Sequence, residues 1–229
     1  YNLWLHVDAA YGGALLFSKR WKDLLSGIDQ ADSITFDPHK WLYNSISSAT
    51  VLFKQASSLR YLQFKAPYIE EIEDEDGKRI NQGECTIQGT RRFDALKLWA
   101  CMKLIGVEGY GRIIEHTIDM TFYLKSLVER EEELELCSIP EVSILCFRFV
   151  PKEIKELDIP PVKKENLLSD INIRLQKELE VSGKAFLSIA TYQGKKVLRA
   201  VVLNYCTQKE DVEFVVNEIL EIGRRMVSE

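Results

Sequence analysis

Residues 31–42 read ADSITFDPHKWL. Ile34 and Phe36 lie in a short apolar run that ends at Asp37-Pro38, where proline withdraws a backbone donor and stops a strand. The next residues are His39, Lys40 and Trp41. The stretch therefore predicts a buried strand that delivers a histidine and a lysine, back to back, at its tip. Most lysines lie on solvated surfaces, so this setting points to a fold in which strand ends form a binding crevice.

The flanking sequence extends that reading. YNLWLHVDAAYGG (1–13) carries Leu3, Leu5 and Val7 at strand periodicity and closes on small residues. ATVLFK (49–54) gives a third strand candidate. Short apolar runs separated by connectors predict an α/β fold with a mostly parallel sheet. A chain that opens on Tyr1 and runs straight into such a strand is expected to be a piece of a longer protein, with an upstream half absent.

Downstream, residues 65–90 include EEIEDEDGKRINQGE, which is polar, acidic and aperiodic, and is expected to form an exposed, mobile lid. Thr90 is a candidate N-cap for a helix that ends at Gly106, with Phe93, Leu96, Ala100 and Leu104 near one face. A second helix over about 110–130 would bury Ile114, Ile118 and Val128. Beyond it, VSILCFRFV (142–150) reads as a strand and Pro151, Pro160 and Pro161 as loop punctuation. Residues 165–181 read as an amphipathic helix, 184–206 as a hairpin turning at Gln193-Gly194, and 208–227 as a last helix. The expected division is residues 1–132 and a small α+β domain, 133–229.

Composition narrows the function. Of the 229 residues, 46% are hydrophobic and 28% charged, an ordinary globular balance. The net charge of -5 gives no basic footprint for nucleic acid. No apolar run is long enough to span a bilayer, so no membrane partner is expected. The five cysteines are widely spaced without a CxxC, which favours a reducing, cytoplasmic setting over a disulfide framework. The three histidines are too dispersed to predict a metal site.

Asp8 and Lys40 each follow a strand. A lysine amine and a carboxylate at neighbouring strand ends are what a pyridoxal phosphate enzyme requires: the amine bonds the aldehyde, and the carboxylate keeps the pyridine nitrogen protonated. Taken singly, an Asp there is also a turn former and a Lys a surface group.

The local motifs decide between these readings. HVDAAYGG and DPHKW, with TRRFDALKLW (90–99) downstream, resemble the signatures of the group II pyridoxal-phosphate decarboxylases, a family that includes aromatic amino acid, glutamate, cysteine sulfinate and diaminobutyrate decarboxylases. The resemblance covers nearly the whole chain, as the C-terminal half of a subunit. It implies the C-terminal part of a fold-type I large domain (1–132) followed by the small C-terminal domain (133–229). It further implies that Lys40 forms the internal aldimine, Asp8 pairs with the pyridine nitrogen, Ala10 packs under the ring and His39 lies beside the phosphate. RYLQF (60–64) matches a family loop tyrosine, which makes Tyr61 the candidate acid that protonates Cα, with Tyr68 the runner-up. Arg199, on the final hairpin, matches an arginine that grips the substrate carboxylate or serves a structural ion pair. Asp37, where some relatives carry Asn, is given a structural role. The implied whole is a homodimer that shares its active site and decarboxylates an L-amino acid. The other reading is a truncated, non-catalytic chain that serves only in dimerisation.

Overall fold

The computed structural model describes residues 3–64 and 83–228. It divides into two compact units, residues 1–112 and 113–229. The dividing point falls inside a helix, about twenty residues before the boundary expected from the sequence.

The first unit is built on three strands, β1 (His6–Asp8), β2 (Ser33–Phe36) and β3 (Thr50–Phe53), in the order β1-β2-β3. β1 and β2 are parallel, with His6 opposite Ser33 and Asp8 opposite Thr35. β3 runs antiparallel to β2, so the expectation of a mostly parallel sheet holds for only one of the two pairings. The link from β2 to β3 holds no helix, the usual crossover to a parallel neighbour. After β1 the chain turns through Gly12–Phe17, a 3₁₀ segment. Gly13 lies so close to β2 that a Cβ there would sit 2.8 Å from Phe36 Cδ2. Ala14, Leu15, Trp41, Leu42 and Tyr110 are buried.

Helix α1 (Ala95–Arg130) contains one non-helical residue, Gly106, at φ 69° and ψ 170°. The sequence's two helices thus run end to end across a glycine whose positive φ no other residue adopts cheaply. The expected start at Thr90 is corrected to Ala95. Phe93, Leu96 and Leu104 are exposed rather than packed, whereas Ile114, Ile118 and Val128 are buried.

The second unit holds a four-stranded antiparallel sheet, ordered β4-β5-β7-β6. Its strands are β4 (Leu134–Leu136), β5 (Ile144–Phe149), β6 (Ser188–Tyr192) and β7 (Lys195–Val201). Leu145, Phe147 and Phe149 alternate onto one face and are fully buried. They pack with Leu175 and Leu179 of α3 (Pro161–Ser182) and Val216, Ile219 and Leu220 of α4 (Lys209–Ser228). A short helix, α2 (Lys152–Lys155), precedes α3. Pro161, expected in a loop, is the first residue of α3, where its missing N–H has no intrahelical partner to lose. The β6–β7 turn is Gln193-Gly194, with φ 48° and 78°, the left-handed pair that suits a tight hairpin.

On the opposite face of this sheet, Arg148 is buried and forked between two carboxylates. Its Nη2 donates to Glu135 Oε2 at 2.8 Å and its Nη1 to Glu165 Oε2 at 2.8 Å. Lys195 Nζ adds a third bond, to Glu135 Oε1 at 3.1 Å. Burial is the largest influence on Glu135 and pushes its pKa up, but the bonds from Arg148 and Lys195 together carry it below the usual carboxylate value.

Candidate active site

The parallel pairing of β1 and β2 sends both strand ends the same way, so the residues that follow them are neighbours. Ala9 N donates to Thr35 O at 3.1 Å, and Asp37 N to Ala10 O at 3.2 Å. Asp8 and the Asp37–Lys40 turn are thereby knitted to one edge. Asp8 is exposed, and its Oδ1 accepts from Ala10 N at 3.1 Å. Ala10 is half-buried. Lys40 closes a turn on Asp37, backbone to backbone at 3.0 Å. The Lys40 ammonium also meets Asp37 Oδ2 at 2.9 Å, with 40% of the lysine side chain and 12% of the aspartate side chain exposed. Asp37, expected to have a structural role, forms this ion pair.

Several carbonyls around Lys40 are tied down. Tyr43 N donates to Lys40 O at 3.2 Å and Asn44 N to Pro38 O at 3.1 Å. The buried Tyr110 hydroxyl donates to Leu42 O at 3.2 Å, and burial pushes its pKa up to about 12. Trp41 is buried and stacks on Tyr11, with ring centroids 4.6 Å apart and 9° between planes. His39 Nδ1 lies 2.6 Å from Ser48 O. A carbonyl only accepts, so the proton is on Nδ1, and Nε2 of a neutral His39 is left as an acceptor. Asn44 is buried, yet neither atom of its side-chain amide has a hydrogen-bond partner among the described residues.

The start of α1 grips the same loop from outside. Lys97 Nζ bonds Ser45 O at 3.2 Å, Ser47 O at 3.1 Å and Asp94 Oδ1 at 2.9 Å. Arg92 Nη2 donates to Ser47 Oγ at 2.9 Å. The sequence reading missed Lys97 and Asp94, although both lie in TRRFDALKLW, because an i,i+3 pair on a helix start reads as ordinary surface charge.

Tyr61 sits on a 3₁₀ segment, Ala56–Leu62, and is 85% exposed. It shares no hydrogen bond with Asp8 or Lys40. Tyr68 and most of the expected lid, residues 65–82, lie outside the described residues. Arg199 belongs to the second unit. It is half-buried on β7, in register with Cys146 on β5 and Ser188 on β6, and makes no ion pair among the described residues.

A family model for the pyridoxal-dependent decarboxylase conserved domain matches residues 1–150. The chain belongs to the pyridoxal-dependent decarboxylase family. Over 226 residues it is 31% identical to L-2,4-diaminobutyrate decarboxylase of Acinetobacter baumannii, covering 99% of this chain and 42% of that protein. It is 33% identical over 230 residues to aspartate 1-decarboxylase of Aliivibrio fischeri, covering 95% and 41%. The crystal structure of mouse CSAD superposes with a TM-score of 0.86 at 29% identity, over 96% of this chain and 46% of that one. The chain thus spans less than half the length of these relatives, and its two units match part of the fold of a pyridoxal phosphate decarboxylase. The family's cofactor fits the residues present. Pyridoxal phosphate calls for an amine to bond its aldehyde and a carboxylate for its ring nitrogen, and Asp8 and the turn that carries Lys40 follow the adjacent, parallel strands β1 and β2. The orphaned Asn44 amide adds unspent polar capacity four residues from the amine.

Proposed function

We propose that the protein to which this chain belongs is a pyridoxal phosphate-dependent carboxy-lyase that converts an L-α-amino acid to its amine and carbon dioxide. The observation that carries the proposal is the pairing of β1 with β2, which brings Asp8 and the Lys40 turn to adjacent strand ends. Bound pyridoxal phosphate supplies an aldehyde for covalent attachment and a protonated ring that withdraws electrons from Cα. Lys40 gives the amine that attaches it, and Asp37 holds the lysine side chain in place by their 2.9 Å contact. Asp8 keeps the proton on the ring nitrogen through its free oxygen. Ala10 leaves room for the ring, and His39 stands beside the phosphate. Tyr61 delivers a proton to Cα after carbon dioxide leaves; its exposure suits a residue that works when a loop closes over the site and excludes water. Arg199 takes the substrate carboxylate with paired N–H donors, which accords with its lack of a carboxylate partner. The active unit is a cytoplasmic homodimer whose subunits complete each other's sites. Relatives at 31% and 33% identity are named for a diamino acid and for aspartate, so the proposed substrate class is L-α-amino acids without a side-chain assignment. The test is a panel of amino acids given to the full-length protein with cofactor, scored by carbon dioxide release. Release from one or a few members is expected; no release from any would overturn the proposal.

A further inference from the structure

We infer that Lys97, held by Asp94, is a positioning residue for Lys40: it clamps the loop that presents the amine. The inference rests on the reading of Lys40 as the attachment site.

An ammonium has three donors and no acceptor. Lys97 spends all three, on Ser45 O, Ser47 O and Asp94 Oδ1, at 2.9–3.2 Å. The carbonyls of Ser45 and Ser47, with one residue between them, are thus drawn to one charge. Asp94 fixes the charge in turn. Its pKa is lowered, chiefly by the Lys97 bond, so it stays ionised across the neutral range. Arg92 adds a bond to the Ser47 hydroxyl on the same side.

The clamp matters because of what the loop holds. Ser45 and Ser47 are exposed, and nothing apolar pins them. Pro38, Lys40 and Leu42 are already bonded inward, to Asn44, Tyr43 and Tyr110. Ser48 O is taken by His39. Among the described residues, Ser45 O and Ser47 O are bonded by Lys97 from the helix start and by nothing within the loop. Releasing it frees Asn44, whose unpaired amide gains by turning toward water, and with it the turn that aims Lys40. A displacement of about 1 Å at a reacting group can slow its reaction by as much as about 10²-fold.

The experiment uses the full-length protein and three variants. Lys97→Met keeps the apolar stem and removes the donors. Lys97→Arg keeps charge and donors. Asp94→Asn keeps Lys97 but removes its anchor, and serves if Lys97→Met does not fold. Two readouts are taken well below the thermal midpoint, and rates are referred to folded protein. The first is amide hydrogen exchange in peptides covering 38–48 without cofactor, where Tyr43 and Asn44 report the loop's own bonds. The second is the rate of covalent capture of pyridoxal phosphate at Lys40, followed by visible absorbance and borohydride trapping. Lys97→Met should raise exchange across 38–48 and slow capture by about tenfold or more. Lys97→Arg should recover most of both, and Asp94→Asn should fall between. Unchanged exchange in Lys97→Met would overturn the clamp. Raised exchange with unchanged capture would overturn the positioning role. Equal defects in Lys97→Met and Lys97→Arg would overturn the hydrogen-bond account. If the unsubstituted protein traps no cofactor at Lys40, the attachment reading fails, and the exchange arm still decides the clamp.

Discussion

Asp37 and Lys40 face each other across a single turn, carboxylate to ammonium at 2.9 Å. The same turn is bonded backbone to backbone and fastened to Ala10 by Asp37 N. The Lys40 side chain is thus held on a turn that follows β2, beside the strand that ends in Asp8, and Asp37 is its side-chain partner among the described residues.

Borohydride reduction of the cofactor-loaded full-length protein, followed by peptide mapping, should put the pyridoxyl group on Lys40. Lys40→Ala should abolish the label. A pyridoxyl group on another lysine would remove Lys40 from the proposal.

Asp8→Asn should still allow covalent capture of the cofactor but lower turnover by about 10²-fold or more, because a neutral amide cannot hold the ring-nitrogen proton where charge collects. Visible absorbance and carbon dioxide release, measured on one sample, separate the two effects. Near-normal turnover would refute the pairing.

Tyr61→Phe keeps the ring and deletes the hydroxyl. Cofactor capture should persist, while amine formation should fall about 10²–10⁴-fold, with a carbonyl by-product rising. Amine output at the normal rate, free of by-product, would clear Tyr61 of any role.

Asn172 is fully buried and serves β5 as a surrogate strand. Its Oδ1 accepts from Phe149 N at 2.8 Å, and its Nδ2 donates to Phe149 O at 2.9 Å. Asn172→Leu leaves two buried backbone groups unpaired and should lower stability by about 2–4 kcal/mol. Urea unfolding measures it; a loss within error would mean that water replaces the amide.

Glu135 has a folded pKa below its unfolded value, so its contribution to stability is full above the usual carboxylate range and fades as pH falls through the folded pKa. The thermal midpoints of the unsubstituted protein and Glu135→Gln should differ at pH 7 and converge on acidification. A gap that widens toward low pH would contradict the sign.

Much of this was legible from patterns with a period. The alternation in VSILCFRFV, the Gln193-Gly194 turn and the buried stripe of Ile114, Ile118 and Val128 each follow from a local rule, and the structure keeps them. Motif context picked out the strand-end residues Asp8 and Lys40. Direction and support were not legible. An apolar run such as ATVLFK is the same read parallel or antiparallel, and only its pairing with β2 shows the direction. Phe93, Leu96 and Leu104 fit a helical stripe whether or not anything covers them. Lys97 and Asn172 act through backbone atoms far away in sequence, and backbone carbonyls carry no letter. Residues that act by supporting backbone are accordingly harder to read than those that motifs mark.

Trp41 adjoins Lys40 in the chain, is shut off from solvent and lies flat on Tyr11. An indole so placed emits strongly and is seldom quenched by collision with solutes. A chromophore bonded to the next residue, absorbing where indole emits, would drain that emission by resonance transfer. If Lys40 is the attachment point proposed above, Trp41 is a fluorescent gauge beside it, and loading is expected to register in real time without label or substrate.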